Sequence, residues 1–173
     1  MRIYIFVYWI IILAIPIKLQ ATAVDSLLLA LQQVQQPSKK VELLNQLADE
    51  YVDIDRQQVP KYRLESLEEA EKLEDISTVI NINLQLVDDY IAIGDYSSAL
   101  LYSQQLDKKY GHLLSRQQYE FFLDSKRSVY LEGGDYRQAQ EVVLNLLALY
   151  QKTGDKEGIG NSEFVVQLSN KKL

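Results

Sequence analysis

Apolar residues recur at helical spacing through most of the chain. From Ile76 to Ile93 the positions Val79, Ile80, Ile82, Leu84, Leu86, Val87, Tyr90, Ile91 and Ile93 cover more than one stripe of a 3.6-residue period. Such a segment reads as a helix packed between two neighbours. Its β-branched residues lower helix propensity, so packing has to hold it. Asp75 precedes it as an N-cap, and Gly94 follows with the freedom to take positive φ and end it. Asp95 then caps a second helix, in which Ala99 is small where two helices approach closely. The pattern predicts a helical hairpin. The same reading gives helices over Arg116 to Glu132 and Tyr136 to Lys152, with Gly133-Gly134 as a turn of two permissive residues. The one long β-rich run, Ile76 to Ile82, lies inside this helical frame, so no strand is predicted.

The hairpins repeat. Tyr90-x3-Gly94-Asp95-Tyr96-x2-Ala99 recurs as Tyr130-x3-Gly134-Asp135-Tyr136-x2-Ala139, every matched residue displaced by 40. The register extends to Leu106 with Leu146, to Tyr110 with Tyr150, and to the N-cap candidates Asp75, Ser115 and Asp155; Asn81 and Asn161 stand two periods apart. A fixed period of this length is the mark of stacked repeat units. Asp25 to Gln35 reads as a short amphipathic helix covering the first repeat, with Pro37-Ser38 as a turn and helix start. After Gly158-Ile159-Gly160, the run Ser162 to Leu173 reads as a first helix without its second. It reads as a C-terminal cap, with Lys171-Lys172 complementing its end, or as the start of a further repeat.

The first 23 residues stand apart. Met1-Arg2 is followed by an unbroken apolar run from Ile3 to Ile17, and Ala21-Thr22-Ala23 is an A-x-A end. This predicts a signal peptide over 1–23, cut before Val24, and a repeat domain over 24–173. The alternative is an N-terminal anchor to the inner membrane, for which the run is short and interrupted near its end by Pro16. Either way the body is exported, to the periplasm or beyond.

Composition narrows the chemistry. The 173 residues include no cysteine and one histidine, His112, which excludes thiolate metal sites, disulfides and cysteine nucleophiles and leaves little for a zinc site or an acid–base dyad. The formal charge is −6; losing Arg2 and Lys18 with the leader, and no acid, takes it to −8. Such a surface opposes nucleic acid, whose binding needs clustered Lys and Arg. No phosphate-cradle, dinucleotide, serine-hydrolase or zincin motif occurs. His112 completes a helix end, and the doublets Asp88-Asp89 and Glu68-Glu69 point about 100° apart on a helix, which makes no convergent clamp. The reading is of a non-enzyme without cofactor or metal.

The repeated Tyr, Gly-Asp-Tyr turn and small Ala resemble the tetratricopeptide (TPR) family, and the likeness covers most of 24–173. Leu43-Leu44-Asn45-Gln46-Leu47-Ala48 with Tyr51 is similar to a frequent opening in exported bacterial members, including the N-terminal repeat regions of sensor and regulatory proteins. Val59-Pro60, Val87, Arg127, Leu106 and Leu146 depart from the family's small residues, and forty exceeds its usual period. The resemblance implies an all-α, right-handed solenoid of helical hairpins, about three repeats plus terminal capping helices. It further implies a non-catalytic protein or peptide interaction module, or else the sensory input half of a signal-transduction protein. First helices line the concave face in that family, which implies a groove of Asn45, Asp49, Asn81, Leu84, Asp88, Phe121, Asp124 and Ser128. Glu42, Asp53, Glu132, Asn161 and Phe164 extend the same faces. This set holds six acids and no base, which favours a basic, extended segment. Tyr90, Tyr96, Tyr130 and Tyr136 fall at framework positions and are read as packing residues.

Overall fold

A computed structural model of the chain describes residues 23–169, so the leader or anchor predicted before Val24 lies outside them except for Ala23. The described part is all-α. Helices α1 (23–33), α2 (Pro37–Ile54), α3 (Val59–Lys72), α4 (Ile76–Ala92), α5 (Tyr96–Tyr110), α6 (Arg116–Glu132), α7 (Tyr136–Thr153) and α8 (Lys156–Ser169) follow one another with 3-10 turns after α2 and α5. No strand occurs among the described residues, and none of their helices is long and apolar enough to cross a membrane. The chain divides into two compact units that meet between Ile76 and Ser77.

In the first unit α2 packs against α3. Leu44, Leu47 and Ala48 of α2, and Val59 and Tyr62 of α3, form its core. Helix α1 joins that core through Val24, Leu27, Leu28 and Leu31, so the packed unit already includes the residue predicted to follow the cut. Pro37 opens α2 at a position where its missing N–H costs nothing. Tyr51 and Tyr62 stack with ring centroids 5.1 Å apart. Lys40 reaches Glu69 at 2.9 Å, which ties α2 to α3 and holds the Glu69 carboxyl below its usual range.

In the second unit the forty-residue register is a structural one. Helices α4 and α6 each end in a left-handed glycine, Gly94 with φ 77° and Gly134 with φ 81°. In each case the Asp after the glycine donates its N–H to the marker tyrosine carbonyl, Asp95 to Tyr90 and Asp135 to Tyr130, closing a Schellman turn. The aspartate side chains then accept from Ser98 N and Gln138 N and cap α5 and α7. Only one of the two adjacent glycines, Gly134, takes the left-handed conformation; Gly133 stays right-handed at φ −73°. Ser115 forms a full capping box with Gln118 at the start of α6.

One core of this unit gathers Ile80 and Leu84 from α4, Leu106 from α5, Phe122 and Leu123 from α6, and Val142 and Leu146 from α7. A second joins Val87, Ala99 and Val129, with Tyr90 and Tyr102 stacked 5.4 Å apart beside them. Ala99 and Ala139 are fully buried, as the close-approach reading requires. The marker tyrosines Tyr90 and Tyr130 pack against these cores.

The last helix begins earlier than expected. It starts at Lys156, directly after the N-cap candidate Asp155, rather than at Ser162, so Gly158-Ile159-Gly160 is helix. Asp155 explains the start: its carboxylate accepts from the N–H groups of Glu157 and Gly158. Gly158 lies against the Tyr150 ring, where a side chain would not fit.

Ser103 on α5 is fully buried, and its hydroxyl has no hydrogen-bond partner among the described residues. Removing an unsatisfied buried hydroxyl also gains helix propensity, so Ser103→Ala is expected to raise stability by about 1 kcal/mol. Urea unfolding checks this; a loss of stability at unchanged m-value would show that the hydroxyl has a structural partner.

Candidate functional site

Two helices of the second unit, α4 and α6, present matched stripes. Asn81, Leu84, Asp88 and Ile91 are spaced at helical intervals on α4, and Gln118, Phe121, Ser125 and Ser128 at the same intervals on α6. Each residue of one stripe is 37 positions from its counterpart in the other. Direct bonds follow this offset. Gln118 Nε2 donates to Asn81 Oδ1 at 2.8 Å, and Ser125 Oγ donates to Asp88 at 2.6 Å. Helices that are equivalent at 40 residues therefore touch at 37, a displacement of nearly one turn.

Three adjoining recesses open along these stripes and onto α8. The first, of about 420 Å³, is bordered by Asn81, Leu84, Ser115, Gln117, Gln118 and Phe121. The middle one, about 340 Å³, is bordered by Asp88, Ile91, Ala92, Phe121, Asp124, Ser125 and Ser128. The third, about 370 Å³, takes in Asp124, Arg127, Val143, Leu146, Tyr150, Gly158, Asn161, Ser162 and Val165. Phe121 is common to the first and second, and Asp124 to the second and third. All the groove candidates that the sequence placed on α4 and α6, save Glu132, therefore border this row of recesses linked by shared residues, and so does Asn161. Glu132 is exposed outside it, and the side chain of Phe164 lies outside the described residues.

The side chains differ in how free they are. Phe121 is 44% exposed, an aromatic ring left open between two recesses. Leu84 is mainly a core residue, 5% exposed, and only its edge reaches the first recess. Asn81 is exposed and has its carbonyl oxygen taken by Gln118, so its amide N–H groups are what it can offer a ligand. Ser128 Oγ is turned back to the Asp124 carbonyl at 3.1 Å.

Charge in the row is not purely acidic. Arg127 donates to Asp124 through Nε at 3.0 Å and Nη2 at 2.8 Å, so the expected absence of a base does not hold at that carboxylate. Among the described residues Asp88 has no such cation. Burial raises its pKa, the Ser125 hydroxyl opposes that rise, and the Asp124 charge adds to it. At the far end, burial first and the Glu120 carboxylate second push the Tyr150 phenol up to about 12.

In the first unit, Asn45 and Asp49 on α2 are both engaged by Arg63 of α3. Arg63 is 4% exposed, and its guanidinium donates to Asn45 Oδ1 at 3.1 Å and to Asp49 Oδ1 at 2.5 Å. A buried guanidinium requires such partners, so these two groove candidates act in holding α3 to α2. Glu42 pairs with Lys39 at 2.6 Å, and Asp53 is exposed.

Arg127, Gln118 and Ser125 were absent from the expected set. The helical spacing of Gln118 and Ser125 with Phe121 was a readable signal. His112 lies exposed in the turn after α5 and borders none of the three recesses. Among the described residues no group of three or more His, Asp or Glu side chains is arranged to hold a metal ion. No protein-family model matches the chain, and no curated protein matches it closely enough to carry a function across.

Proposed function

We propose that this chain is a non-catalytic protein or peptide interaction module of the tetratricopeptide type, a right-handed solenoid of about three hairpins with capping helices, exported to the cell envelope. The observation that carries the reading is the row of three recesses along α4, α6, α7 and α8, which Asn81, Leu84, Asp88, Phe121, Asp124, Ser128 and Asn161 border. A continuous, polar, partly aromatic trough suits an extended segment better than a compact small molecule. The chemistry of its borders supports binding: amide donors at one end, an open aromatic ring in the middle, and beside it a carboxylate without a counter-ion among the described residues.

Affinity capture from envelope extract tests the function. The full chain is compared with Phe121→Ala and with Glu68→Lys, whose carboxylate lies on the exposed face of α3 beside Lys72. Phe121→Ala should weaken the captured partner by about tenfold or more, as truncating a central aromatic anchor does. Glu68→Lys should leave it unchanged. The opposite ranking would move the site off the trough. Export is tested separately by N-terminal sequencing of protein recovered from the producing cell: Val24 as first residue supports a cleaved leader, intact Met1 on a membrane-bound product supports the anchor, and soluble cytoplasmic protein contradicts both.

A further inference from the structure

Resting on that reading, we propose that the middle recess takes one basic side chain, lysine or arginine, from an extended segment of a partner protein. Its borders divide by chemistry. Ile91, Ala92 and the open ring of Phe121 supply apolar and aromatic surface, while Asp88 and Asp124 supply carboxylates and Ser125 and Ser128 hydroxyls. Lysine and arginine have that same division, a methylene stem that buries well and a charged head that does not. A hydrated divalent ion fits poorly, because apolar and aromatic groups occupy places where it needs oxygen ligands. The aromatic border adds an attraction for cations that it cannot offer to an anion.

Charge complementarity is specific to this recess. Asp124 is already paired with Arg127, and among the described residues the Asp88 carboxylate accepts from the neutral hydroxyl of Ser125. The groups that act on Asp88 are thus Ser125 and Asp124 from α6, the latter paired with Arg127. A net negative charge is left for a ligand to answer. The protein carries this carboxylate at a disadvantage, since burial and the Asp124 charge both raise its pKa. Groups kept in an unfavourable state inside a recess are found where ligands bind. The length of the row argues for a segment of chain rather than a free cation: the recesses on either side adjoin the middle one through Phe121 and Asp124 and are of similar volume.

The test is selection of a random nine-residue peptide library on the full chain, followed by titration of the enriched peptides. Enriched sequences should share a lysine or arginine at one fixed position, and norleucine there should weaken binding by about tenfold or more. In Asp88→Asn, which keeps an acceptor for Ser125, lysine and norleucine peptides should bind alike, a coupling that a merely structural role would not produce. The same variant should unfold at or above the wild-type temperature, because an unfavourable charge is gone. Glu141→Gln on the exposed face of α7 should retain the lysine preference.

Enriched peptides without a fixed basic position, or a lysine preference that survives Asp88→Asn, overturns this proposal. If such peptides still lose affinity with Phe121→Ala, the interaction reading stands without it. If no peptide enriches, both fall. Binding of spermidine or N-acetyl-lysine amide that requires Asp88, with no peptide enriched, assigns the recess to free cations and also overturns the proposal.

Discussion

Replacing either Ala99 or Ala139 with leucine is expected to cost about 1–3 kcal/mol, because three further carbons must enter a fully packed helix crossing. Both alanines have no exposed surface, and Ala99 sits among Val87, Val129 and the stacked Tyr90–Tyr102 pair. Each donates its N–H to the capping aspartate's carbonyl at 3.0 Å, so the backbone cannot shift outward without loosening the turn. The two sites belong to different hairpins, so the double variant should lose close to the sum. Lys108→Leu and Glu141→Leu, on exposed positions of the same two helices, should stay within about 0.5 kcal/mol. Urea unfolding of the four single variants checks this. Equal and negligible changes at all four would show that the alanines are not the points of closest approach.

Gly158→Ala sets two effects against each other. Alanine is the better helix former by about 1 kcal/mol, so an open position in the first turn of α8 would gain stability. Here the new Cβ would lie 2.6 Å from Cγ and Cδ1 of Tyr150 and 2.7 Å from Cδ2. The ring has little room to yield, since Tyr150 is packed against the Phe122 and Leu146 core and its phenol sits beside Glu120. The steric cost, about 1–3 kcal/mol for overpacking, should therefore exceed the propensity gain. The expected outcome is local: α8 loses contact with α7, and its amides exchange faster while those of α4 to α7 keep their protection. Tyr150, Gly158 and Asn161 all border the third recess, so that end of the trough should be lost as well. A net gain in stability would mean that the ring can move aside.

Most of the helical frame was legible from local pattern. Capping aspartates, Schellman glycines and apolar periodicity are local devices, and the predicted α6 agrees with its observed span, Arg116–Glu132, while α4 ends one residue early at Ala92. The start of α8 was half legible: Asp155 was marked as an N-cap candidate and does cap it, but two glycines within three residues read as breakers and moved the helical run on to Ser162. What keeps Gly158 in a helix is a ring from another helix. A shorter period was present but concealed. Tyr150-x3-Gly154-Asp155 repeats the turn of Tyr130 twenty residues later, with Gly154 left-handed at φ 72° and Asp155 N–H bonded to the Tyr150 carbonyl. Glu74 takes the corresponding positive φ of 56° at the end of α3 without being a glycine, which no local signal announces.

The candidate site was legible by face and not by partner. Asn81, Asp88, Phe121 and Asp124 could be placed on one side of their helices by counting turns. Whether each is free depends on the sliding of α6 along α4, and the offset of 37 is a tertiary quantity that a period of 40 does not reveal. For the same reason Arg127, which departs from the small residue of the resembling family, was not foreseen as the counter-ion of Asp124. In the first unit a buried Arg63 converts two candidates into structural ligands of a guanidinium.

The central claim is that the trough on α4 and α6 is where a partner sits. It is tested most directly by placing a photo-crosslinking benzoylphenylalanine at Phe121 or at Leu144 in the producing cell. The two positions are matched in exposure, 44% and 49%, but Leu144 lies on α7 and borders none of the three recesses. The account predicts a discrete crosslinked partner from position 121 that is absent from position 144. Crosslinking from 144 with none from 121 would contradict it and place the binding surface on the opposite helices of the hairpins.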